Sequence, residues 1–164
     1  MSKNLKLLIA IEIILRLILF SIFYSSVTIY PDSEGYLDLA KRVSSFDLSG
    51  YNGLRSPGYP MLISFVNSNL YALVFIQFGL GIVTSVFQYK TLINLSFSKK
   101  NSLIITIFIS SFLNILFFET CVLVETLVLF LMSTFVYLLS KTPIQNQNLK
   151  FDFLMSFILG YLVF

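Results

Sequence analysis

The sequence PDSEGYLDLAKRVSSFDLSGYNGLRSPGYP, residues 31–60, is the longest polar stretch in an otherwise strongly apolar chain. It contains seven charged side chains, four of them acidic, among them Asp32 and Arg55. Unpaired charges at membrane depth are energetically costly, so this stretch is predicted to lie outside the hydrocarbon core of a bilayer. The apolar runs on either side of it are then interpreted as membrane-crossing helices.

The composition also favours a membrane protein. Hydrophobic residues make up 57% of the 164 and charged residues only 12%, whereas soluble domains contain about a quarter charged residues. The net charge of +3 is too small to suggest a nucleic-acid partner. The chain contains no histidine, which excludes a Ser-His-Asp triad and a histidine general base. Its single cysteine, Cys121, cannot form an internal disulfide.

The apolar runs predict an all-α fold, namely a polytopic transmembrane helix bundle with a helical outer loop between its first two spans. A helix rises about 1.5 Å per residue, so about twenty residues cross a hydrocarbon core of ~30 Å. The prediction is about four complete spans plus a truncated fifth, near residues 7–28, 70–92, 103–118, 121–140 and from 153 onward. Residues 1–164 would form a single transmembrane domain.

The first apolar run contains two charged residues, Glu12 and Arg16, four positions apart. Because the run is longer than a signal peptide and contains these charges, it is interpreted as a retained helix. Residues four apart share one face of a helix, so one interpretation is an ion pair that neutralises itself within the helix. The alternative has Arg16 facing the bundle interior and bonding another helix.

The distribution of lysines predicts an orientation, since cytoplasmic loops are enriched in positive charge. With these spans, seven lysines fall on one side, namely Lys3, Lys6, Lys90, Lys99, Lys100, Lys141 and Lys150. The prediction is a multi-pass cell membrane protein with a cytoplasmic N-terminus and an extracytoplasmic loop at residues 30–60. The last apolar run is only twelve residues long, so the chain is expected to be the N-terminal part of a longer protein.

The first half of the polar stretch predicts a short amphipathic helix along the membrane surface, with Tyr36, Leu39, Ala40 and Val43 on one face. Asp32 lies where this helix would begin. One interpretation makes it an N-cap, which accepts backbone N–H groups. Glu34 would follow in the first turn, where a carboxylate suits the helix dipole, and Asp38 and Arg42 would form a surface ion pair.

The second half of the stretch contains two turn-forming pairs, Asn52-Gly53 and Pro57-Gly58, and Arg55 lies between them. The segment is therefore predicted to fold back. Arg55 is either a solvated loop charge or a fixed guanidinium for an anionic headgroup or phosphate, which suits its planar array of donors. Tyr59 is expected at the membrane interface.

Four features, taken in order, resemble one family. They are Arg16-Leu17 in the first helix, D-x-x-x-Y-x-x-x-A across 32–40, R-x-P-G-Y-P across 55–60, and V-E-T-L-V-L-F-L across 124–131. The combination resembles the N-terminal part of the GT-C membrane glycosyltransferases, which use polyprenyl-phosphate-sugar donors. This group includes the protein O-mannosyltransferases and the lipid A aminoarabinose transferases. The resemblance covers most of this chain but only about the first third of such an enzyme.

The resemblance implies sugar transfer from a polyprenyl-phosphate donor to an acceptor hydroxyl at the extracytoplasmic membrane face. Asp32 would be the catalytic carboxylate that activates the acceptor, and the substrate-binding residues would be Arg55, Glu34, Tyr59 and Glu125. Relatives have Asp-Glu where this chain has Asp32-Ser33, so Glu34 is the only substitute for a second carboxylate. The expected partners are the lipid bilayer, the lipid-linked sugar and a lipid, glycan or protein acceptor. The resemblance leaves the metal requirement open: the reaction either uses a divalent metal ion or uses no metal.

Two other functions are compatible with the sequence. One is a small non-enzymatic membrane protein, such as an assembly or lipid-binding subunit. The other is a transporter fragment whose pathway is lined by Glu12, Arg16, Glu119 and Glu125. The position at which the carboxylates meet distinguishes a transferase from a transporter. A pocket at the outer surface favours the transferase, and a buried central cluster favours transport.

Overall fold

The computed structural model describes residues 2–23, 27–53, 55–141, 155–158 and 160. Within these ranges the chain is mainly helical, and seven helices follow one another in order. They are α1 (Lys3–Phe23), α2 (Pro31–Ser44), α3 (Gly58–Phe65), α4 (Leu70–Asn94), α5 (Lys99–Ser110), α6 (Leu113–Phe118) and α7 (Glu125–Lys141).

The longest helix, α4, is the element on which the others pack, and it contacts α1, α3, α5 and α7. It begins where Asn69 accepts a hydrogen bond from the Ala72 N–H at 3.1 Å, which satisfies one of the free donors of the first turn. On the α1 side, one apolar cluster joins α1, α4 and α6, and it consists of Leu19, Val74, Phe78 and Leu116. Burial of such side chains is the main stabilising contribution to packing.

The polar stretch folds as a helical pair, because α2 packs against α3. Their shared core also includes α4 and the segment before α7, through Ala40, Tyr59, Ile63, Leu73 and Val122. The segment after α1 lies beside the same region, since Thr28 forms an isolated parallel bridge with Cys121. The polar stretch is therefore packed against α4 and against the segment that precedes α7.

The amphipathic helix that the pattern predicts after residue 30 is present as α2, but its N-terminus differs from the prediction. Tyr30 occupies the cap position, and the Ser33 hydroxyl accepts the Tyr30 N–H at 2.9 Å. Asp32 is the second residue of the helix, so its interpretation as the N-cap is wrong. Ser33 is fully buried.

The predicted transmembrane bundle of four complete spans and a truncated fifth is wrong for the described residues. Only α4 is both long and apolar enough to cross a membrane there. Most of the first predicted span lies in α1, a helix with four charged side chains, and the third is divided because helix α5 ends at Ser110. The fourth, α7, contains only 17 residues. Most of the run from residue 153 lies outside the described residues.

The predicted localisation fails for the same reason. A cytoplasmic N-terminus and an extracytoplasmic loop were assigned by counting lysines between several spans, and one apolar helix does not indicate a multi-pass membrane protein. Hydropathy alone suggests that every apolar run crosses the membrane. Helix length and the number of internal charges distinguish α4 from the other helices.

Candidate functional site

The candidate site is an ion pair between α2 and the loop that leads to α3. Arg55 donates through Nη2 to Asp32 Oδ1 at 2.5 Å, across 23 positions of the chain. The Asp32 side chain is 67% exposed and that of Arg55 is 32% exposed, so a ligand can reach the carboxylate. The hydrogen bond to Asp32 raises the pKa of the Arg55 guanidinium.

Three neighbours hold Arg55 in this position. The guanidinium carbon lies 4.8 Å from the ring centroid of Tyr36, one turn along α2 from Asp32, in a cation–π contact. A Cβ on Gly35 would lie 3.3 Å from Arg55 Nε, so the absence of a side chain there lets Arg55 approach the helix. The Tyr51 hydroxyl accepts the Arg55 N–H at 2.7 Å and donates to the Arg55 carbonyl. Arg55 is thus a fixed cation, which favours the second of the two interpretations above.

Tyr59 connects this site to the core. Its ring packs edge-on against Tyr36 at 5.2 Å between centroids, and its hydroxyl donates to Gln77 Oε1 at 2.6 Å. Gln77 in turn donates to the backbone carbonyls of Glu119 and Cys121 at 2.8 and 2.9 Å. Burial raises the pKa of the Tyr59 phenol. Tyr59 therefore supports the site from the core, where its hydroxyl is bonded to Gln77.

A polar cleft of about 330 Å³ lies beside the ion pair. Arg55, Arg42 and Tyr51 line it, and Gly35 forms part of its floor on α2. Arg42 is held by Asp38 Oδ2 at 3.0 Å and by the Ser49 carbonyl at 2.8 Å, which confirms the predicted pair. The two guanidinium groups provide N–H donors for an anionic ligand, and the Asp38 carboxylate on the same cleft is paired with Arg42.

Two of the predicted site residues are not part of this arrangement in the described contacts. Glu34 is exposed in the first turn of α2, and it is not joined to the Asp32–Arg55 pair. Glu125 begins α7, and its Oε2 is buried without a hydrogen-bond partner among the described residues. Its charge contributes, after burial, to the raised pKa of Tyr59.

A second polar cluster is buried between the long helices. Arg16 donates to Glu12 Oε2 at 2.5 Å within α1 and to Glu119 Oε1 at 2.6 Å beyond α6. Ser110 also donates to Glu12 Oε1 at 2.5 Å. Both interpretations of Arg16 therefore hold together, because it pairs within its helix and bonds another element. Burial is the main cause that raises the pKa of Glu119, to about 7.

This charge cluster approaches the backbone of α4 at one residue. A Cβ on Gly81 would lie less than 3.0 Å from both the Glu119 carboxylate and the Arg16 guanidinium. Only glycine leaves room for the ion pair there. The cluster depends on a backbone approach that hydropathy does not reveal.

A metal ion does not fit the described residues. They include no group of three or more Cys, Asp and Glu side chains arranged to hold one. Asp32 Oδ1 is bonded to the Arg55 guanidinium. No step of a mechanism is therefore assigned to a metal.

Sequence reasoning missed Tyr51 and Gln77 as supporting residues. Gln77 had a detectable signal, since it is a polar side chain in the middle of an apolar run. Tyr51 had none, because its role depends on a loop that brings its hydroxyl to the Arg55 backbone. Tyr36 was predicted on the apolar face of α2, but its cation–π contact with Arg55 was not predicted.

Comparisons with protein-family models, with characterised proteins and with solved structures find no match for this chain. Function therefore has to be inferred from the geometry of the residues, from their chemistry and from the resemblance described above.

Proposed function

We propose that this chain contributes the acceptor side of a glycosyltransferase that takes its sugar from a polyprenyl-phosphate donor. The observation that carries the proposal is the Asp32–Arg55 pair, an accessible carboxylate 2.5 Å from a fixed guanidinium beside a polar cleft. The family pattern quoted above supports it, because both residues belong to that pattern. Asp32 acts as the base, and Arg55 acts on the phosphate.

The chemistry needs these two groups close together. Asp32 accepts the proton of the acceptor hydroxyl while the hydroxyl oxygen bonds to the anomeric carbon of the sugar. The bond from that carbon to the phosphate oxygen breaks, and polyprenyl phosphate leaves with its negative charge near Arg55. A guanidinium has five N–H donors, and Asp32 accepts one of the two on Nη2, so others can bind the phosphate in the cleft.

The elements around the site also suit a lipid-linked donor. Large apolar side chains are exposed at the ends of α2 and α3, with Phe46 97% and Phe65 83% exposed. Ser64 donates to Ser44 at 3.2 Å, which holds these two helix ends together. Exposed aromatic groups favour contact with lipid, and the polyprenyl chain of a donor lies in a bilayer. The proposal therefore includes a lipid bilayer as a partner.

Transport is supported less well by the buried cluster of Glu12, Arg16 and Glu119. The three groups bond one another, and the cavity beside them measures only about 20 Å³. Groups that are mutually bonded in so small a cavity suit a structural role.

The first test measures sugar transfer in membranes that contain the natural protein, with polyprenyl-phosphate-linked sugars as donors. Asp32→Asn keeps the shape of the side chain but removes the proton acceptor, so the rate is expected to fall on the order of a hundredfold or more. Asp47→Asn, in an exposed part of the same stretch, is the matched control and should retain the wild-type rate. An Asp32→Asn rate equal to that of the control would overturn the assignment of the base.

The second test measures binding of polyprenyl monophosphate to the protein in phosphatidylcholine vesicles. Arg55→Gln removes the cation and is expected to weaken binding about tenfold, a typical cost for a charge-assisted hydrogen bond. Lys41→Gln removes an exposed cation of α2 and should leave binding unchanged. Equal binding by the two variants would show that Arg55 does not contact the phosphate.

A further inference from the structure

The buried charge cluster borders a small cavity between α1, α4, α5 and α7. Its volume is about 20 Å³, and its lining includes Arg16, Gln88, Glu119 and Thr126. Three of these residues are almost fully buried, since Arg16 and Thr126 are 3% exposed and Glu119 is 1% exposed.

Each of these four residues has one buried polar atom without a hydrogen-bond partner among the described residues. The atoms are Arg16 Nε, Gln88 Oε1, Glu119 Oε2 and Thr126 Oγ1. A buried polar group that stays unpaired is costly, so native proteins satisfy nearly all of them with protein or with ordered water. Four such atoms belong to residues that line one cavity, which points to a common ligand.

We propose that this cavity binds a single water molecule that completes the hydrogen bonding of the Arg16–Glu119 pair and links α1, α4 and α7. A cavity needs roughly 10–15 Å³ and two to four polar partners to hold one water, and this one meets both conditions. The inference is independent of the proposed sugar transfer.

The chemistry of the lining selects a neutral ligand that both donates and accepts. Arg16 Nε can only donate, whereas Glu119 Oε2 and Gln88 Oε1 act as acceptors. A cation would face the guanidinium of Arg16, and an anion would face the carboxylate of Glu119. Water accepts from Arg16 and donates to the two acceptor oxygens, and the Thr126 hydroxyl completes its four partners.

The direction in which Thr126→Val changes the unfolding equilibrium constant tests the proposal. Thr126→Val keeps the shape of the side chain and removes one partner of the water, so it should raise the unfolding equilibrium constant about fivefold. In a dry cavity the same change would remove an unsatisfied hydroxyl, and the unfolding equilibrium constant would fall. The measurement is reversible chemical denaturation of the whole chain at pH 7.

Thr106→Val is the matched control. Thr106 is fully buried, and its Oγ1 has no partner among the described residues, but it does not line the cavity. Its replacement should therefore lower the unfolding equilibrium constant or leave it unchanged. A fall for both variants would overturn the proposal, and opposite signs would support it.

A direct measurement keeps the proposal testable if either variant folds poorly. A crystal or electron cryo-microscopy map of the unsubstituted protein at about 2 Å resolution is expected to show one density peak within hydrogen-bonding distance of Arg16 Nε and Glu119 Oε2. A cavity free of density at that resolution would overturn the assignment.

Discussion

Arg16→Met is the most informative single substitution, because it removes the cation from a buried cluster and leaves two carboxylates behind. The Arg16 side chain is 3% exposed and bonds Glu12 at 2.5 Å and Glu119 at 2.6 Å. Breaking a buried ion pair by removing one partner costs about 3–5 kcal/mol, since the remaining charges are buried without compensation. We expect a loss of that size in the free energy of unfolding at pH 7.

The chain contains a matched control for this substitution. Asp38 and Arg42 also form an acidic–basic pair four positions apart, but their side chains are 67% and 38% exposed. An exposed pair contributes about 0–1 kcal/mol, so Arg42→Met should be nearly neutral. Both variants are measured by chemical denaturation in the same buffer, each against the unsubstituted chain.

Two results would refute the reasoning about Arg16. One is an Arg16→Met loss within about 1 kcal/mol of the Arg42→Met loss, which would mean that the cluster is not buried as described. The other concerns the triple variant with Met at Glu12, Arg16 and Glu119. Replacing a whole buried charge cluster by apolar groups is often neutral, so this variant should recover most of the loss. A triple variant less stable than Arg16→Met would assign the loss to packing and not to charge.

Three other structural claims are each tested by thermal or chemical unfolding of substituted chains. Gly81→Ala should destabilise the protein because its Cβ would displace the Glu119 carboxylate. Gly79→Ala in the same helix meets nothing within 4 Å and should stabilise the protein by about 0.5–1 kcal/mol. A Gly81→Ala variant more stable than Gly79→Ala would contradict the close approach at Gly81. The pKa of Glu119 rises from 4.5 to about 7 on folding, so the folded state binds the proton more tightly and stability falls as pH rises through that range. Glu119→Gln should flatten this slope, and an unchanged slope would assign it to another group. Ser33→Glu should lower the free energy of unfolding by about 1–3 kcal/mol, because it buries a carboxylate and removes the hydrogen bond to the Tyr30 N–H. A variant as stable as the unsubstituted chain would show that the side chain at position 33 is exposed to solvent.

The sequence alone predicted the features that depend on local chemistry. The amphipathic spacing of Leu39 and Ala40 predicted α2, and both residues are buried there. The apolar run from Leu70 predicted α4 at nearly its observed bounds. The spacing of Asp38 and Arg42 predicted their ion pair. Each of these results follows from contacts within one or two turns of a helix, which neighbouring residues determine.

Hydropathy was insufficient where helix ends and internal charges decide the outcome. The apolar run from residue 103 to 118 reads as one span, but the chain leaves the helix after Ser110 and forms the short helix α6. Aspartate is a favoured residue type at helix N-caps, which is why Asp32 was interpreted as one. Tyr30 takes that position instead, and the Ser33 hydroxyl accepts its N–H. Such boundaries depend on individual hydrogen bonds, which average hydropathy does not contain.

Only the tertiary structure decided which distant groups meet. Arg55 reaches Asp32 because the loop after α2 folds back and Tyr51 holds its backbone. Glu119 reaches Arg16 across 103 positions, and a glycine on a third helix leaves the space for their contact. Contacts of this kind are set by the packing of whole helices, whose energy is spread over many apolar side chains. Residue types and local spacing therefore indicated which groups could act, and helix packing determined which of them lie together.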